Sequence, residues 1–359
     1  MTKKEKIESL NILRAIAFLE VFLSHAISSK FELGGSGVSL FIILSGFLMY
    51  YTYADKEFIC GIKDHINFAW SKLKRLYILH IITATFLFIV FLNSYILNDR
   101  FGEICNHIVA YICNIFLIQT WIPDARIYYS LNAVSWYLSD CMFFYICFPL
   151  IIKLIRGFIH SVRHAVVCML GLLCLQMMIR ALFGFSTIEN VDAWLYRLPA
   201  FRIFEFMIGC LCGYVYITKD KLTCNKTLMS LIQILIIPLG FSVNLIIKNN
   251  IVHNVILTIC SMVAVWSWTI DGYASNFLGT KIIYKIADLS KYAFLIHQIV
   301  IADVGVFLGW FFDSSINIMI LISLVAFVVT MMLSVIYGYM IDSENIFNRL
   351  LKQGKSYFK

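Results

Sequence analysis

The sequence predicts an all-α integral membrane protein with about ten transmembrane helices, and its composition is the first reason. Hydrophobic residues make up 61% of the 359 residues and charged residues 14%, whereas soluble domains carry about 25% charged residues. The mean hydropathy is +0.83. This much apolar surface excludes a disordered chain. Because spans would use nearly the whole length, we expect one transmembrane domain over 1–359 and no additional soluble domain.

Each predicted span is a run of about 20 apolar residues, the length that crosses a hydrocarbon core of about 30 Å. Ten runs are strong candidates: 11–29, 37–53, 76–94, 133–152, 164–184, 198–217, 228–247, 251–270, 290–310 and 316–340. An eleventh run, 104–122, contains Asn106, His107, Asn114 and Gln119 and is therefore the weakest.

The Lys and Arg residues predict the orientation, because basic residues favour cytoplasmic loops. Lys3, Lys4 and Lys6 precede the first run, and no small-residue cleavage site follows it, so we predict a retained span that starts inside. If 104–122 does not cross, 21 basic residues fall inside and 5 outside. We therefore expect ten spans, both termini in the cytoplasm, and a re-entrant or interfacial segment near 104–122 on the outer side.

The charge and the cysteines indicate no further class of ligand. A net charge of +8 fits basic cytoplasmic loops. The sequence contains no basic helix interleaved with aromatic residues, which would be typical of nucleic-acid binding. The 11 cysteines lie in scattered positions, and no pair has the Cys-x-x-Cys spacing of a zinc or redox site. We therefore expect no nucleic-acid partner, no metal and no tightly bound cofactor.

Two ionisable residues in the first span indicate function, since such groups are costly in a membrane and usually face its protein interior. Arg14 lies near the cytoplasmic end and His25 in the outer half. At ~100° and about 1.5 Å per residue they share one helix face and lie about 16 Å apart along the axis. Two simpler interpretations stay open: Arg14 can extend to the interface, and His25 can bond to a neighbouring helix.

The motifs around these residues resemble those of acyltransferase family 3, membrane enzymes that acylate cell-envelope carbohydrates. Arg14 and His25 match an arginine and a histidine on that family's first helix, and 35–48, reading GSGVSLFIILSGFL, resembles the opening of its second. Four later segments also resemble family motifs: 72–77, 136–149, 199–213 and 290–297. The chain departs from the family at 141–142, where Cys141 and Met142 replace an acidic pair, with Asp140 one residue earlier.

The resemblance implies transfer of an acyl group, commonly acetyl, from acyl-CoA to a sugar hydroxyl of a cell-surface or lipid-linked polysaccharide. It implies an O-acetylating transferase of polysaccharide or exopolysaccharide biosynthesis in the plasma (inner) membrane of a bacterium. The expected partners are acyl-CoA as donor substrate, a glycan acceptor, the lipid bilayer and other polysaccharide biosynthesis proteins.

Acyl transfer to an alcohol needs a base, and we predict His25 for this role. Lys72, Lys74 and Arg75 are predicted to bind the phosphates of acyl-CoA, although positive-inside charge explains this patch as well. Arg14 is predicted to steer the thioester towards His25.

Six further residues are secondary candidates: Trp136, Ser139, Asp140, Arg202, Glu205 and His297. Trp136 and Ser139, with Ser24, are predicted donors to a tetrahedral oxyanion. Asp140 and Arg202 fall in the outer halves of their predicted spans, and His297 in an inner half. Arg202 and Glu205, three residues apart on one helix, can also simply neutralise each other.

An exporter of polysaccharide or lipid-linked sugar is the alternative function. It predicts inverted halves with Gly- or Pro-broken spans, whereas the chain has 4 prolines and no visible symmetry between its halves. A passive membrane scaffold would leave the alignment of Arg14 with His25 unexplained.

Overall fold

The computed structural model describes residues 7–27, 34–58, 61–185, 188–218, 225–247, 250–270, 272–312 and 316–356. Side chains are described as far as Ile341, except that of Asn250. Within these ranges every regular element is helical, and the α-helices are α1 (Ser9–Ile27), α2 (Gly34–Tyr53), α3 (Ile62–Leu97), α4 (Ile104–Ile115), α5 (Ala125–Tyr128), α6 (Trp136–Phe158), α7 (Val162–Phe183), α8 (Val191–Leu195), α9 (Pro199–Thr218), α10 (Lys226–Ile246), α11 (Asn250–Ser267), α12 (Tyr273–Leu278), α13 (Lys281–Gly309) and α14 (Ile316–Ser356). The lysines at 3–6, which predict the orientation, lie outside the described residues.

The predicted spans coincide with long apolar helices. In the described part of the chain, 9 helices are long and apolar enough to cross a membrane, and α11 contributes a shorter apolar run, Ile251–Ser267. Such a run reaches about 26 Å, which is at the short end of membrane-spanning helices. The chain is therefore an all-α integral membrane protein, as predicted. We call the end of the bundle where α1 begins the predicted cytoplasmic side, and the other end the predicted outer side.

Segment 104–122 contains the short helix α4 rather than a span. The 12 residues of α4 extend about 18 Å, which is too short to cross the hydrocarbon core. Four hydrogen bonds attach α4 to α3. In two of them the Tyr77 hydroxyl donates to the Ile115 carbonyl at 2.8 Å, and the His107 ring bonds the Phe88 carbonyl at 3.0 Å. His107 therefore contributes to helix packing.

The direction of α13 relative to α1 confirms that 104–122 does not cross. Arg14 interacts with Asp288, and His25 lies beside His297, so both pairs run in the same order along the chain. The two helices are therefore parallel. A crossing at 104–122 would add one reversal between them and make them antiparallel.

α2 and α9 are also parallel, and their backbones pack in direct contact. Ile43 lies against Gly209, and Phe47 against Gly213. A Cβ on Gly209 would lie 2.1 Å from the Ile43 carbonyl oxygen, and one on Gly46 would lie 2.1 Å from a carbonyl oxygen of α9. Small residues permit this approach, which stabilises helix pairs in lipid.

α1 and α2 form the centre of the bundle. In each, 67% of the most apolar window is buried inside the protein, against 17% for α3 and α14. The helices at the periphery of the bundle, such as α14, have exposed apolar side chains, for example Leu324 and Val328. These side chains suit contact with lipid tails. A site on α1 is therefore surrounded by protein on most of its faces.

Candidate active site

His25 and His297 meet at the end of α1. Their ring centroids lie 5.2 Å apart. His25 is exposed in the last turn of α1, whereas His297 on α13 is fully buried. The imidazole of His25 is therefore accessible, and that of His297 packs against it from inside the bundle.

The hydrogen bonds of His297 define its tautomer. Its Nδ1 lies 2.8 Å from the carbonyl oxygen of Phe294 and 3.2 Å from that of Ala293. Because a carbonyl oxygen only accepts, Nδ1 carries the proton and Nε2 keeps a lone pair. This Nε2 is buried, with no hydrogen-bond partner among the described residues. The ring that packs against His25 therefore carries a hydrogen-bond acceptor, Nε2 of His297, that no described residue uses.

The predicted depth of His297 is wrong. It lies level with His25 and not in an inner half, because α13 packs along α1 with Asp288 near Arg14 and His297 beside His25. The helix begins at Lys281 and not at 290, which makes His297 the 17th of its 29 residues. The apolar run 290–310 therefore marks only part of this helix.

Arg14 faces the same helices as His25. Its charge interacts with Asp288 on α13 and with Tyr145 on α6. The Tyr145 hydroxyl lies 3.0 Å from Ser45 Oγ on α2, so three helices meet around the arginine. Both Arg14 and His25 therefore face α13, in agreement with their predicted common face on α1.

Two phenylalanines occupy α1 between Arg14 and His25. Phe18 and Phe22 are buried, and each ring centroid lies 6.1 Å from that of His297. Aromatic rings therefore fill the line from Arg14 to His25 in this structure. Passage of an acyl group along that line requires these rings to move.

Arg202 and Glu205 form a buried ion pair. Arg202 Nη1 lies 2.7 Å from Glu205 Oε1, and neither side chain has exposed surface. Arg202 also donates to Ser39 at 3.3 Å, and Thr258 donates to Glu205 at 3.4 Å. The structure confirms that the two charges neutralise each other.

Asp140 and Arg180 extend this buried polar cluster. The charge of Asp140 interacts with Arg202, yet neither carboxyl oxygen has a hydrogen-bond partner in the described ranges. Arg180 pairs with Asp192 at 3.0 Å. Sequence reasoning assigned no role to Arg180, although an arginine within the run 164–184 was a signal for one.

Ser139 and Ser24 already donate their hydroxyl protons to carbonyl oxygens. Ser139 Oγ lies 2.5 Å from the Leu117 carbonyl and 2.7 Å from Thr120 Oγ1. Ser24 Oγ lies 2.7 Å from the Val21 carbonyl. Ser139 therefore attaches the segment after α4 to α6, and this geometry does not favour the predicted oxyanion role of either serine.

Trp136 belongs to an aromatic cluster around Arg197, which is one of the five basic residues that the predicted orientation places outside. The guanidinium carbon lies 4.1 Å from the ring centroid of Tyr129, 5.1 Å from that of Tyr196 and 5.6 Å from that of Trp136. The charge of Arg197 also interacts with His25. The cluster therefore lies on the same predicted outer side as the histidine pair.

Lys72, Lys74 and Arg75 are exposed on α3 at the opposite side of the bundle. Lys72 donates a hydrogen bond to the hydroxyl of Tyr53, the last residue of α2, and its Nζ lies 4.6 Å from that ring's centroid. Because α2 begins beside the end of α1, this basic patch and His25 lie at opposite ends of the bundle.

A cavity of about 320 Å³ lies beside the basic patch, with Phe58 and His65 in its wall. Lys56 lines it too, and its Nζ lies 5.1 Å from the centroid of the Phe58 ring. Arg156 of α6 donates to the carbonyl of Lys56 at 2.9 Å. Lys56 and Arg156 therefore add basic groups beside the patch on α3, whereas Glu57 and Asp64 contribute acidic groups to the wall of the cavity.

Comparison with known proteins gives matches at two levels. Residues 7–339 match the family 3 model described as an acyltransferase domain. Over 166 residues the chain is 28% identical to Acyltransferase MdmB of Streptomyces mycarofaciens. That alignment covers 42% of this chain and 40% of the relative, so the match spans less than half of the relative's length. No solved structure matches the chain.

Proposed function

The chain belongs to acyltransferase family 3, and we propose that it transfers an acetyl group from cytosolic acetyl-CoA to a sugar hydroxyl of a cell-surface or lipid-linked polysaccharide. The helical bundle suits this task, because it can meet a cytosolic donor at one end and an external acceptor at the other. We assign it to a bacterial plasma membrane, in line with the Streptomyces origin of its relative.

The observation that carries the proposal is the exposed imidazole of His25 against the buried ring of His297. The sugar hydroxyl gives its proton to His25 while its oxygen attacks the thioester carbonyl carbon. A C–O bond forms and the carbonyl oxygen takes the negative charge. The C–S bond then breaks, and the leaving thiolate recovers the proton from His25, so the products are an O-acetyl sugar and CoA.

His297 takes a positioning role in this scheme. A general base works best when a second group orients it. The Nε2 lone pair of His297 has no partner among the described residues, and a small rotation of His25 would let an imidazole N–H donate to it. The other His25 nitrogen would then accept the substrate proton.

Lys72, Lys74 and Arg75 are proposed to bind the phosphates of acetyl-CoA, with Lys56 at the adjoining cavity. Their exposure leaves the charges accessible, and ammonium and guanidinium groups bind phosphate through charge-assisted hydrogen bonds. Arg14 lies between this patch and His25 along the bundle axis. It is proposed to guide the thioester end of the donor.

The test is to compare surface glycans of cells with and without the gene by mass spectrometry, and then to assay purified protein in vesicles with acetyl-CoA and that glycan. We expect CoA release to depend on the glycan and to fall by about 10²-fold or more in His25→Ala. His164→Ala, which alters an exposed histidine at the start of α7, is the matched control.

Undiminished turnover in a folded His25→Ala protein would contradict the base assignment. Movement of glycan across vesicles that lack any acyl donor would support export instead. For the donor site, Lys72→Ala is expected to raise the KM for acetyl-CoA at unchanged kcat, whereas Lys226→Ala, in an exposed lysine of α10, should change neither.

A further inference from the structure

A group of aromatic side chains surrounds Arg197 on the predicted outer side. Tyr129, Trp136 and Tyr196 were described above, and Tyr128 completes the group with its centroid 5.6 Å from the guanidinium carbon. We call these five residues the Arg197 cage. Tyr129 is exposed and Arg197 partly exposed, whereas Tyr128 and Trp136 are buried. The cage therefore has a buried wall and an open rim.

The charge of Arg197 has no carboxylate partner within salt-bridge distance in the described part of the chain. Arg126, Arg180 and Arg202, on the same side of the bundle, each pair with a carboxylate at 2.7–3.0 Å. The charge of Arg197 interacts with Asp140, whose buried oxygens make no hydrogen bond to any described residue. Arg197 therefore carries its positive charge without a carboxylate in contact with it among the described residues.

The guanidinium of Arg197 also has unused donors. It donates to the Ala193 carbonyl and to the Tyr129 hydroxyl, which are two of the five N–H groups that an arginine carries. Its Nε is buried, so the donors left for a ligand are the second N–H on Nη1 and the second on Nη2. The surrounding rings hold the planar group in place, so a ligand would not have to order it.

A continuous row of rings connects the cage to the candidate base. Trp136 and Tyr137 have centroids 6.1 Å apart, and Tyr137 lies 5.2 Å from Phe294. Phe294 lies 5.9 Å from His297, the ring that contacts His25. The charge of Arg197 also interacts with His25, so a saccharide bound at the rim would lie on the same side of the bundle as the candidate base.

From these observations we infer that the Arg197 cage is an acceptor subsite for an anionic saccharide, with Arg197 binding a carboxylate or phosphate group of the glycan. A guanidinium fork matches two oxygens of either group. The inference rests on the proposed function, since it assigns the acceptor end of the same site. It also specifies the acceptor class: a glycan that bears uronic acid or sugar phosphate.

The test measures binding of three saccharides to purified protein in lipid nanodiscs. Trigalacturonate supplies carboxylates, glucose 1-phosphate supplies a phosphate, and maltotriose is the neutral reference. We expect at least one anionic probe to bind about 10–100-fold more tightly than maltotriose, the range for a hydrogen bond to a charged group. The preference should weaken as salt is added. The anionic probe that binds more tightly shows whether the charged group of the glycan is a carboxylate or a phosphate.

Variants separate the charge from the fold. Arg197→Gln should abolish the preference, and Arg197→Lys should keep part of it. Arg126→Gln should retain it in full, because Arg126 is an exposed arginine of the same side that is already paired with Asp124. Thermal unfolding of each variant verifies that the protein is folded. Equal preference in wild type and folded Arg197→Gln, or no preference in wild type, would overturn the inference.

CoA release from acetyl-CoA, measured in the same samples, distinguishes the two proposals. Acetyl transfer to a glycan, without an Arg197-dependent preference for anionic saccharides, would overturn only the inference that the Arg197 cage is an acceptor subsite. Arg197-dependent binding without any acetyl transfer would overturn the proposed reaction alone.

Discussion

Glu205→Gln is expected to destabilise the protein strongly without removing a catalytic group, because Glu205 neutralises Arg202 inside the bundle. Both side chains lack exposed surface, and their N–O distance is 2.7 Å. Loss of one partner leaves a buried charge uncompensated, at a cost of about 3–5 kcal/mol. Since Arg202 also donates a hydrogen bond to Ser39, which the substitution leaves in place, we expect the lower end, about 3 kcal/mol.

The matched control for burial is the exposed pair Asp124–Arg126. These residues have the same kind of contact, at 2.8 Å, but 69% of the Arg126 side chain is exposed. Hydrogen bonds from Arg126 hold the pKa of the Asp124 carboxyl below its ordinary value, so the pair is ionised at neutral pH. Asp124→Asn should nevertheless cost less than about 1 kcal/mol, because water screens the pair.

The assay is thermal unfolding in detergent, followed by tryptophan fluorescence, together with CoA release measured where each variant is folded. Glu205→Gln should lower the unfolding midpoint markedly more than Asp124→Asn, and it should keep its turnover per folded molecule. A Glu205→Gln protein that unfolds like wild type but has lost turnover would refute the reasoning and place Glu205 in the chemistry.

Three further substitutions test the packing around the site. Gly46→Ala should cost about 1–3 kcal/mol because its Cβ would lie 2.1 Å from a carbonyl oxygen of α9, whereas Gly171→Ala, with open space around its Cβ, should be neutral or stabilising in the same unfolding assay. Ser139→Ala should lower the free energy of unfolding by about 1–3 kcal/mol, since it removes the partner of a buried carbonyl; lost turnover at unchanged stability would contradict its structural role. Phe22→Ala should cost about 3–5 kcal/mol and raise the rate with butyryl-CoA relative to acetyl-CoA, because space opens on the proposed acyl route; an unchanged ratio would place the route elsewhere.

The membrane architecture was predictable because the bilayer imposes a local rule on the chain. A span needs a continuous apolar run of fixed length, so the ten runs coincide with ten helices whatever their neighbours are. The common face of Arg14 and His25 was predictable for a similar reason, since the rotation per residue of a single helix determines it. Helix ends were less predictable: α3 and α13 both begin well before their apolar runs, at Ile62 and Lys281.

The sequence by itself determined which residues can act as base, cation or acid, and along which helix each of them lies. Only the tertiary structure decided which of them meet. It brought His297 to His25 and paired Arg180 with Asp192. It also placed the rings of Phe18 and Phe22 between Arg14 and His25. Arg197 was left without a paired carboxylate among the described residues. The physical reason is that periodicity fixes directions within one helix, whereas contacts between distant helices depend on how their side chains pack together in three dimensions.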